Sequence, residues 1–115
     1  MKTISGETFD IRLEEENSNV FFSGALRLTG MDDYAPILDM LKERLTNPAA
    51  PSMVDLTELD FLNSSGITMF SRFVKAARDR ALINLRFLAS ESTPWQARSL
   101  KNLQRLMPSL EIHLS

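Results

Sequence analysis

The sequence predicts an α/β fold in which an N-terminal antiparallel hairpin joins a mostly parallel central sheet, with about three helices packed on it. Phe9, Ile11 and Leu13 alternate with charged residues, which is the period of a half-buried strand. Further along, short apolar runs typical of buried strands alternate with segments of helical periodicity, and this order favours a parallel sheet. With 115 residues the chain can build one hydrophobic core but not two, so we predict a single domain over residues 1–115.

The composition excludes several classes of function. The chain has no cysteine, which excludes disulfides, thiol catalysis and thiolate metal sites. Its 13 basic and 15 acidic residues give a net charge of −2, so nothing indicates a protein that wraps nucleic acid. No apolar run approaches the roughly 20 residues of a membrane span, and the start of the chain lacks an apolar signal core. We therefore expect a soluble cytoplasmic domain that carries no cofactor.

The hairpin is predicted from turn residues that separate two apolar segments. Asn17-Ser18-Asn19 is typical of a turn, and residues 20–25 follow it as a second, more buried strand. The two strands are expected to pair at one edge of the sheet. Residues 26–30 are then predicted to cross a loop towards the first helix.

The first helix is predicted from its apolar face and its acidic start. It is expected to begin at Asp32 or Asp33, so that Pro36 stays in about the first turn, where proline is tolerated. The proline-rich residues 47–51 are predicted to end it. Its apolar face consists of Tyr34, Ile37, Leu38, Leu41 and Leu45.

The centre of the chain is predicted to be a buried strand, a turn and a second helix. Residues 53–56 are a short apolar run, residues 57–61 are predicted as the turn, and a helical apolar rhythm begins at Ile67. Between turn and helix, Asn63-Ser64-Ser65-Gly66 places small polar side chains where a helix N-terminus presents free N–H groups. This segment suits an anion or a covalently attached phosphate, or else plain capping by Asn63 or Ser64.

The last third of the chain predicts a strand, a helix and a short edge strand. Residues 82–89 are an apolar strand pattern. Thr93, Pro94 and Gln96 then meet the preferences for an N-cap, a first helical position and a capping box. Residues 110–114 are predicted as an edge strand.

The central segment resembles the signature of STAS domains, the fold of anti-sigma-factor antagonists and of the cytoplasmic tails of sulphate transporters. Asp55-Leu56-Thr57 matches the opening of that signature, Phe61-Leu62 its apolar pair, and Ser64-Ser65-Gly66-Ile67 its centre. Asn63 stands where the family usually has Asp, so it keeps the shape and capping ability of the acid without its charge. The order of elements agrees with the family over nearly the whole chain.

The resemblance implies a phosphorylation-regulated protein-binding module that switches partners in bacterial transcription or signalling control. The modified residue would be Ser64, and less favourably Ser65. By resemblance the partner is an anti-sigma factor with a kinase-like fold, served by a serine kinase and a phosphatase. Two alternatives stay open: an accessory subunit of a lipid ABC-type transport complex, and a small-ligand sensor. We expect a monomer or a weak dimer.

A docking surface is predicted along the second helix. Met69 and Phe73 widen its apolar arc, and we interpret them as partly exposed, flanked by Ser65, Thr68 and Arg72. The alternative is a helix wedged deeply between its neighbours. Asp55 and Gly66 are assigned structural roles, Gly66 because of a close backbone approach or an unusual dihedral. The full predicted docking set is Asn63, Ser64, Ser65, Thr68, Met69, Arg72 and Phe73.

The remaining charged residues and glycines of the sequence do not indicate a functional site. Arg98, Lys101 and Arg105 share a helical face that we interpret as solvated, and the lone His113 is interpreted as a strand residue. The serine-rich turn lacks the G-x-S-x-G pattern of a nucleophile elbow, and the scattered glycines form no phosphate-binding loop. We predict no catalysis and no metal site.

Overall fold

A computed structural model of the chain describes residues 2–14, 19–43, 52–80 and 85–115. They form a six-stranded sheet and three helices. The elements follow in the order β1 (Lys2–Ser5), β2 (Phe9–Leu13), β3 (Asn19–Leu26), α1 (Gly30–Glu43), β4 (Ser52–Leu62), α2 (Ser64–Asp79), β5 (Leu85–Ala89), α3 (Pro94–Leu106) and β6 (Glu111–Leu114).

The strands lie in the sheet in the order in which they occur along the chain. β2 is antiparallel to both of its neighbours, β1 and β3, whereas β3, β4, β5 and β6 run parallel to one another. The predicted fold class is therefore confirmed, including the β2–β3 hairpin and the edge strand β6. The sequence did not predict β1, which pairs antiparallel with β2 and takes the edge position that was expected for the hairpin.

All three helices lie on one face of the sheet. Parallel strands joined by helices connect with a right-handed crossover, so a sheet that grows in one direction places every helix on the same side. Burial follows this rule in β5, where Leu85, Phe87 and Ala89 are buried and Arg86 is exposed. No helix among the described residues covers the other face, so the domain has two layers.

α2 occupies the middle of the helical layer. Phe70 lies with its ring centroid 5.3 Å from that of Phe22 on β3 and 5.9 Å from that of Phe87 on β5. The helix therefore crosses above β4, the strand between those two, with α1 packed on one side of it and α3 on the other. This position decides which residues of α2 a partner can reach.

The predicted turn over residues 57–61 is wrong, because β4 continues through it to Leu62. The pairing of β3 with β4 shifts in register twice along this stretch. At its start the Asp55 carboxylate accepts hydrogen bonds from the backbone N–H of Thr57 (2.9 Å) and from its hydroxyl (2.6 Å). The turn-forming residues thus produce an irregularity inside a strand instead of ending it.

The predicted start of α1 is also wrong. The helix begins at Gly30, which has a φ of 70°, and the Asp33 carboxylate accepts a hydrogen bond from the backbone N–H of Thr29 (3.3 Å). Pro36 consequently lies in the second turn, not the first. The buried face of α1 is Tyr34, Ile37, Leu38, Met40 and Leu41.

Some predictions lie outside the described residues. These are the turn residues Asn17 and Ser18, the helical Leu45, the stop over residues 47–51 and the first part of the predicted strand, residues 82–84.

Candidate functional site

The candidate site lies where β3 and β4 end and α2 begins. The backbone N–H of Asn63 donates to the carbonyl of Leu26 at the end of β3 (3.2 Å), and the N–H of Ile67 donates to the carbonyl of Asn63 (3.1 Å). Asn63 therefore connects the end of β3 to the first turn of α2. The carboxyl ends of parallel strands are a common place for binding sites.

Asn63 is the N-cap of α2 and uses both ends of its amide. Its Oδ1 accepts hydrogen bonds from the backbone N–H of Gly66 (3.0 Å) and from the hydroxyl of Tyr34 (2.7 Å). Its Nδ2 donates to the carbonyl of Leu28 (2.8 Å). Burial raises the pKa of Tyr34, opposed by a backbone hydrogen bond from Leu28, so the phenol is a neutral donor. Of the two capping residues left open by the sequence, Asn63 is the one that caps.

Ser64 is the first residue of α2 and is exposed. Its carbonyl accepts a hydrogen bond from the hydroxyl of Thr68 (3.1 Å), but its own hydroxyl bonds to none of the described residues. Ser65 is half-buried. Because Asn63 caps the helix, the Ser64 hydroxyl is not needed for structure and faces solvent at the positive end of a helix dipole.

Gly66 is required by a close approach of neighbouring side chains. A Cβ on Gly66 would lie 2.8 Å from Leu62 Cγ and 2.9 Å from the Tyr34 hydroxyl oxygen, closer than such atoms pack. Its φ does not lie in the left-handed region, where only Gly24 and Gly30 are found among the described glycines. Of the two reasons considered for Gly66, the structure therefore shows the steric one.

An exposed aromatic side chain flanks the site and was not among the predicted docking residues. Phe61 is 41% exposed, and the guanidinium carbon of Arg27 lies 4.9 Å from its ring centroid. Asp60, next to it, accepts a hydrogen bond through its carbonyl from the indole N–H of Trp95 (3.0 Å). Had residues 57–62 been recognised as a strand, alternation would have placed Phe61 on the face opposite to that of Leu62, which is the face without helices.

The predicted exposure of Met69 and Phe73 is wrong. Met69 is 0% exposed and Phe73 is 1% exposed. α1 and α3 cover both sides of α2, which was the alternative considered from the width of its apolar arc. Of the predicted docking set, Ser64, Thr68 and Arg72 are exposed on the outer stripe of α2, whereas Asn63 and Ser65 are half-buried.

Two further searches bear on the described residues only. No helix in that part of the chain is long and apolar enough to span a membrane. No three His, Asp or Glu side chains within it come together as a group that could hold a metal ion.

Comparison with known proteins shows a likeness of fold. No model of a known protein family matches the chain, and no curated protein matches its sequence. Among solved structures, it is similar to a chain in the crystal structure of the diguanylate cyclase SiaD in complex with its activator SiaC from Pseudomonas aeruginosa, with a TM-score of 0.75 and 15% identity over 100% of both chains. It is also similar to SiaC of Pseudomonas aeruginosa, with a TM-score of 0.69 and 14% identity over 100% of this chain and 97% of that one. At such identities the likeness establishes the fold alone.

Proposed function

We propose that this protein is a regulatory protein-binding module whose contact with its partner is controlled by phosphorylation of Ser64. The observation that carries the proposal is the exposed Ser64 hydroxyl, which is left free because Asn63 caps the helix. The STAS resemblance supports the same residue. The likeness of fold to SiaC, an activator found in complex with a cyclase, supports a role through a protein partner.

Phosphate on Ser64 would change the site through charge. It adds about −1.5 to −2 charges at neutral pH, and the N-terminal end of α2 accommodates this charge within the folded protein. In a partner contact the same group has to be desolvated, which weakens binding unless the partner supplies cations. The unmodified protein is therefore the binding form, and the phosphorylated protein is the released form.

The partner is a bacterial signalling protein of one of two classes. The STAS resemblance favours an anti-sigma factor with a kinase-like fold, together with a serine kinase and a phosphatase. The likeness to SiaC favours a diguanylate cyclase. The sequence also allows an accessory subunit of a transport complex, in which Ser64 need not be phosphorylated. Phosphorylation of Ser64 in cells would therefore favour the switch over the transport function.

A capture experiment tests the proposal. Wild-type protein, Ser64→Ala and Ser64→Asp serve as baits in an extract of the source cells, and Ser109→Asp introduces the same charge at an exposed serine between α3 and β6. We expect wild type, Ser64→Ala and Ser109→Asp to retain a common partner that Ser64→Asp loses. Retention of that partner by Ser64→Asp would contradict the proposal.

Peptide mapping after incubation with the cognate kinase and ATP tests the modified residue. We expect phosphate on Ser64 and none on Ser71, whose hydroxyl donates to the Ile67 carbonyl (3.0 Å). Phosphate found solely on Ser65 or Thr57 would overturn the assignment.

A further inference from the structure

The exposed sides of α2 and α3 form a basic surface. Six of the 13 basic residues of the chain lie on these two helices, and all six are exposed. The only acidic residue on either helix is Asp79 at the end of α2, so fourteen of the 15 acidic residues lie elsewhere. The basic residues are Arg72, Lys75 and Arg78 on α2 and Arg98, Lys101 and Arg105 on α3.

Only one of the six cations is paired with a carboxylate of the described residues. Arg78 Nη2 lies 3.3 Å from Asp79 Oδ1, and its Nη1 donates to the carbonyl of Leu106 at the end of α3 (3.4 Å). This second bond joins the end of α2 to the end of α3, and the two helices pack against each other, so the cations lie on neighbouring helices. The other five cations keep their charge available to a partner.

A shallow concavity lies within this surface on α3. Its volume is 430 Å³, and it is lined by Pro94, Arg98, Lys101, Asn102 and Arg105. Two guanidinium groups and one ammonium group thus surround a recess, and guanidinium groups pair with carboxylates through two parallel hydrogen bonds. The recess suits carboxylate side chains.

We propose that the basic surface binds an acidic surface of the regulated partner, an inference that rests on the protein-binding function proposed above. A protein fits better than the other anionic classes. An extended nucleic acid would run beyond the patch onto a chain whose net charge is −2. A membrane surface calls for apolar side chains, and the exposed described residues of α3 are polar or charged apart from Pro94.

The basic surface also explains how one phosphate can act as a switch. Ser64, Thr68, Arg72 and Lys75 form one exposed stripe along α2, with the modifiable residue at its end. α2 carries three basic residues and one acidic residue. Phosphate on Ser64 adds about −1.5 to −2 charges, which nearly cancels the net positive charge of the helix. Phosphorylation therefore reduces the attraction of α2 for an acidic partner as well as adding a group at the contact.

A binding assay with a defined polyanion tests the surface without the partner. Fluorescently labelled poly-L-glutamate is titrated with the protein at low ionic strength, and binding is read as anisotropy. The test variant is Arg98→Glu/Arg105→Glu. The control is Arg12→Glu/Arg86→Glu, which changes the net charge equally on the helix-free face of the sheet and breaks two exposed ion pairs and the contact of Arg12 with the Phe21 ring.

We expect wild type and the control to bind poly-L-glutamate and the test variant to bind about tenfold or more weakly. Equal losses in the two variants would overturn the inference. Tighter binding of a DNA duplex, or of vesicles containing anionic phospholipid, than of poly-L-glutamate would also overturn it in favour of that polyanion. If the test variant does not unfold cooperatively on heating, it is replaced by Arg98→Gln/Arg105→Gln, which removes the charges without reversing them.

Partner capture then separates this inference from the proposed function. If Arg98→Glu/Arg105→Glu retains the partner while Ser64→Asp loses it, the switch stands and the basic surface is not its docking site. If Ser64→Asp retains the partner while the arginine variant loses it, the surface stands and the switch fails. Loss of the partner in both variants, with retention in the Arg12→Glu/Arg86→Glu control, supports both.

Discussion

Asn63 makes one hydrogen bond that an aspartate at the same position cannot make. Its Oδ1 accepts from Tyr34 and Gly66, as a carboxylate would, but its Nδ2 donates to the carbonyl of Leu28. A carboxylate would direct an oxygen at that carbonyl. Asparagine at this position is therefore matched to the backbone of the β3–α1 connection.

We predict that Asn63→Asp lowers the free energy of unfolding by about 1–2 kcal/mol at neutral pH, because the repulsion exceeds the gain from the helix dipole. The same repulsion should favour the protonated form of the introduced carboxyl in the folded state. The loss should therefore shrink as pH falls towards the ordinary carboxyl pKa of about 4 and be absent below it, where the protonated group can donate to Leu28. Denaturant unfolding at both pH values measures this. Asn102→Asp, at an exposed amide on α3, is the control, and an equal loss in both variants would contradict the account.

Among the described residues, the buried side chain of Gln96 on α3 makes hydrogen bonds to β4 and to the residue that follows β5. It is 0% exposed, its Nε2 donates to the carbonyls of Leu56 (2.7 Å) and Leu59 (2.9 Å), and its Oε1 accepts from the N–H of Ser90 (2.7 Å). The capping box predicted for this residue is wrong, and the N-cap Thr93 makes no side-chain cap bond. Gln96 instead satisfies the carbonyls left free where β4 is irregular.

Gln96→Leu should therefore lower the free energy of unfolding by about 2–4 kcal/mol, since it leaves buried carbonyls and an N–H without partners. Gln104→Leu is the matched control, because the Gln104 amide makes a single bond to the carbonyl of Leu110 (2.9 Å) from an exposed position. We expect it to cost less than about 1 kcal/mol. Similar unfolding midpoints for the two variants in denaturant would refute the role given to Gln96.

At the scale of the element, α2 has one accessible stripe and is otherwise enclosed. Even consecutive residues of α2 differ completely in exposure, since Thr68 is exposed and Met69 is fully buried. A partner that contacts the helix can reach the stripe that begins at Ser64 but not Met69 or Phe73. The same residues that were predicted to dock a partner hold the helix to the sheet and to its neighbours.

Introducing a carboxylate at these two adjacent positions should separate core from surface. Met69→Asp buries an unpaired charge, so we expect the cooperative thermal transition to be lost or lowered by more than about 10 °C. Thr68→Asp should melt within a few degrees of wild type, because its side chain stays in water. If Met69→Asp melted like Thr68→Asp, α2 would have to be less enclosed than the structure shows.

At the scale of the whole molecule, the two-layer arrangement explains both the accessible surface and its charge. The sheet grows in one direction, so α1, α2 and α3 lie side by side on one face in chain order. The two basic helices are neighbours for this reason, and the Arg78 bond to Leu106 joins their ends. Three cations on α3 alone are an ordinary solvated face, whereas the docking surface proposed above combines six exposed cations on two neighbouring helices.

Local patterns in the sequence predicted most of the elements and the helix N-terminus at which the candidate site lies, but not β1 or the continuation of β4 to Leu62. The alternation at Phe9, Ile11 and Leu13 predicted a strand, and Pro94 predicted the start of α3, because periodicity and backbone restriction act between residues close in the chain. The segment from Asn63 to Gly66 predicted a helix N-terminus with hydroxyl groups for the same reason.

Contacts between distant parts of the chain decided the rest. Whether Met69 is exposed depends on α1 and α3, and whether Ser64 or Asn63 caps α2 depends on Tyr34 and Leu28, which lie about 30 residues earlier in the chain. Gln96 could serve a capping box or the carbonyls of β4, and only the packing of α3 against that strand brings those carbonyls within reach. A helical wheel and a capping rule describe one element at a time, whereas burial and hydrogen bonding are settled by all the elements that meet at a residue.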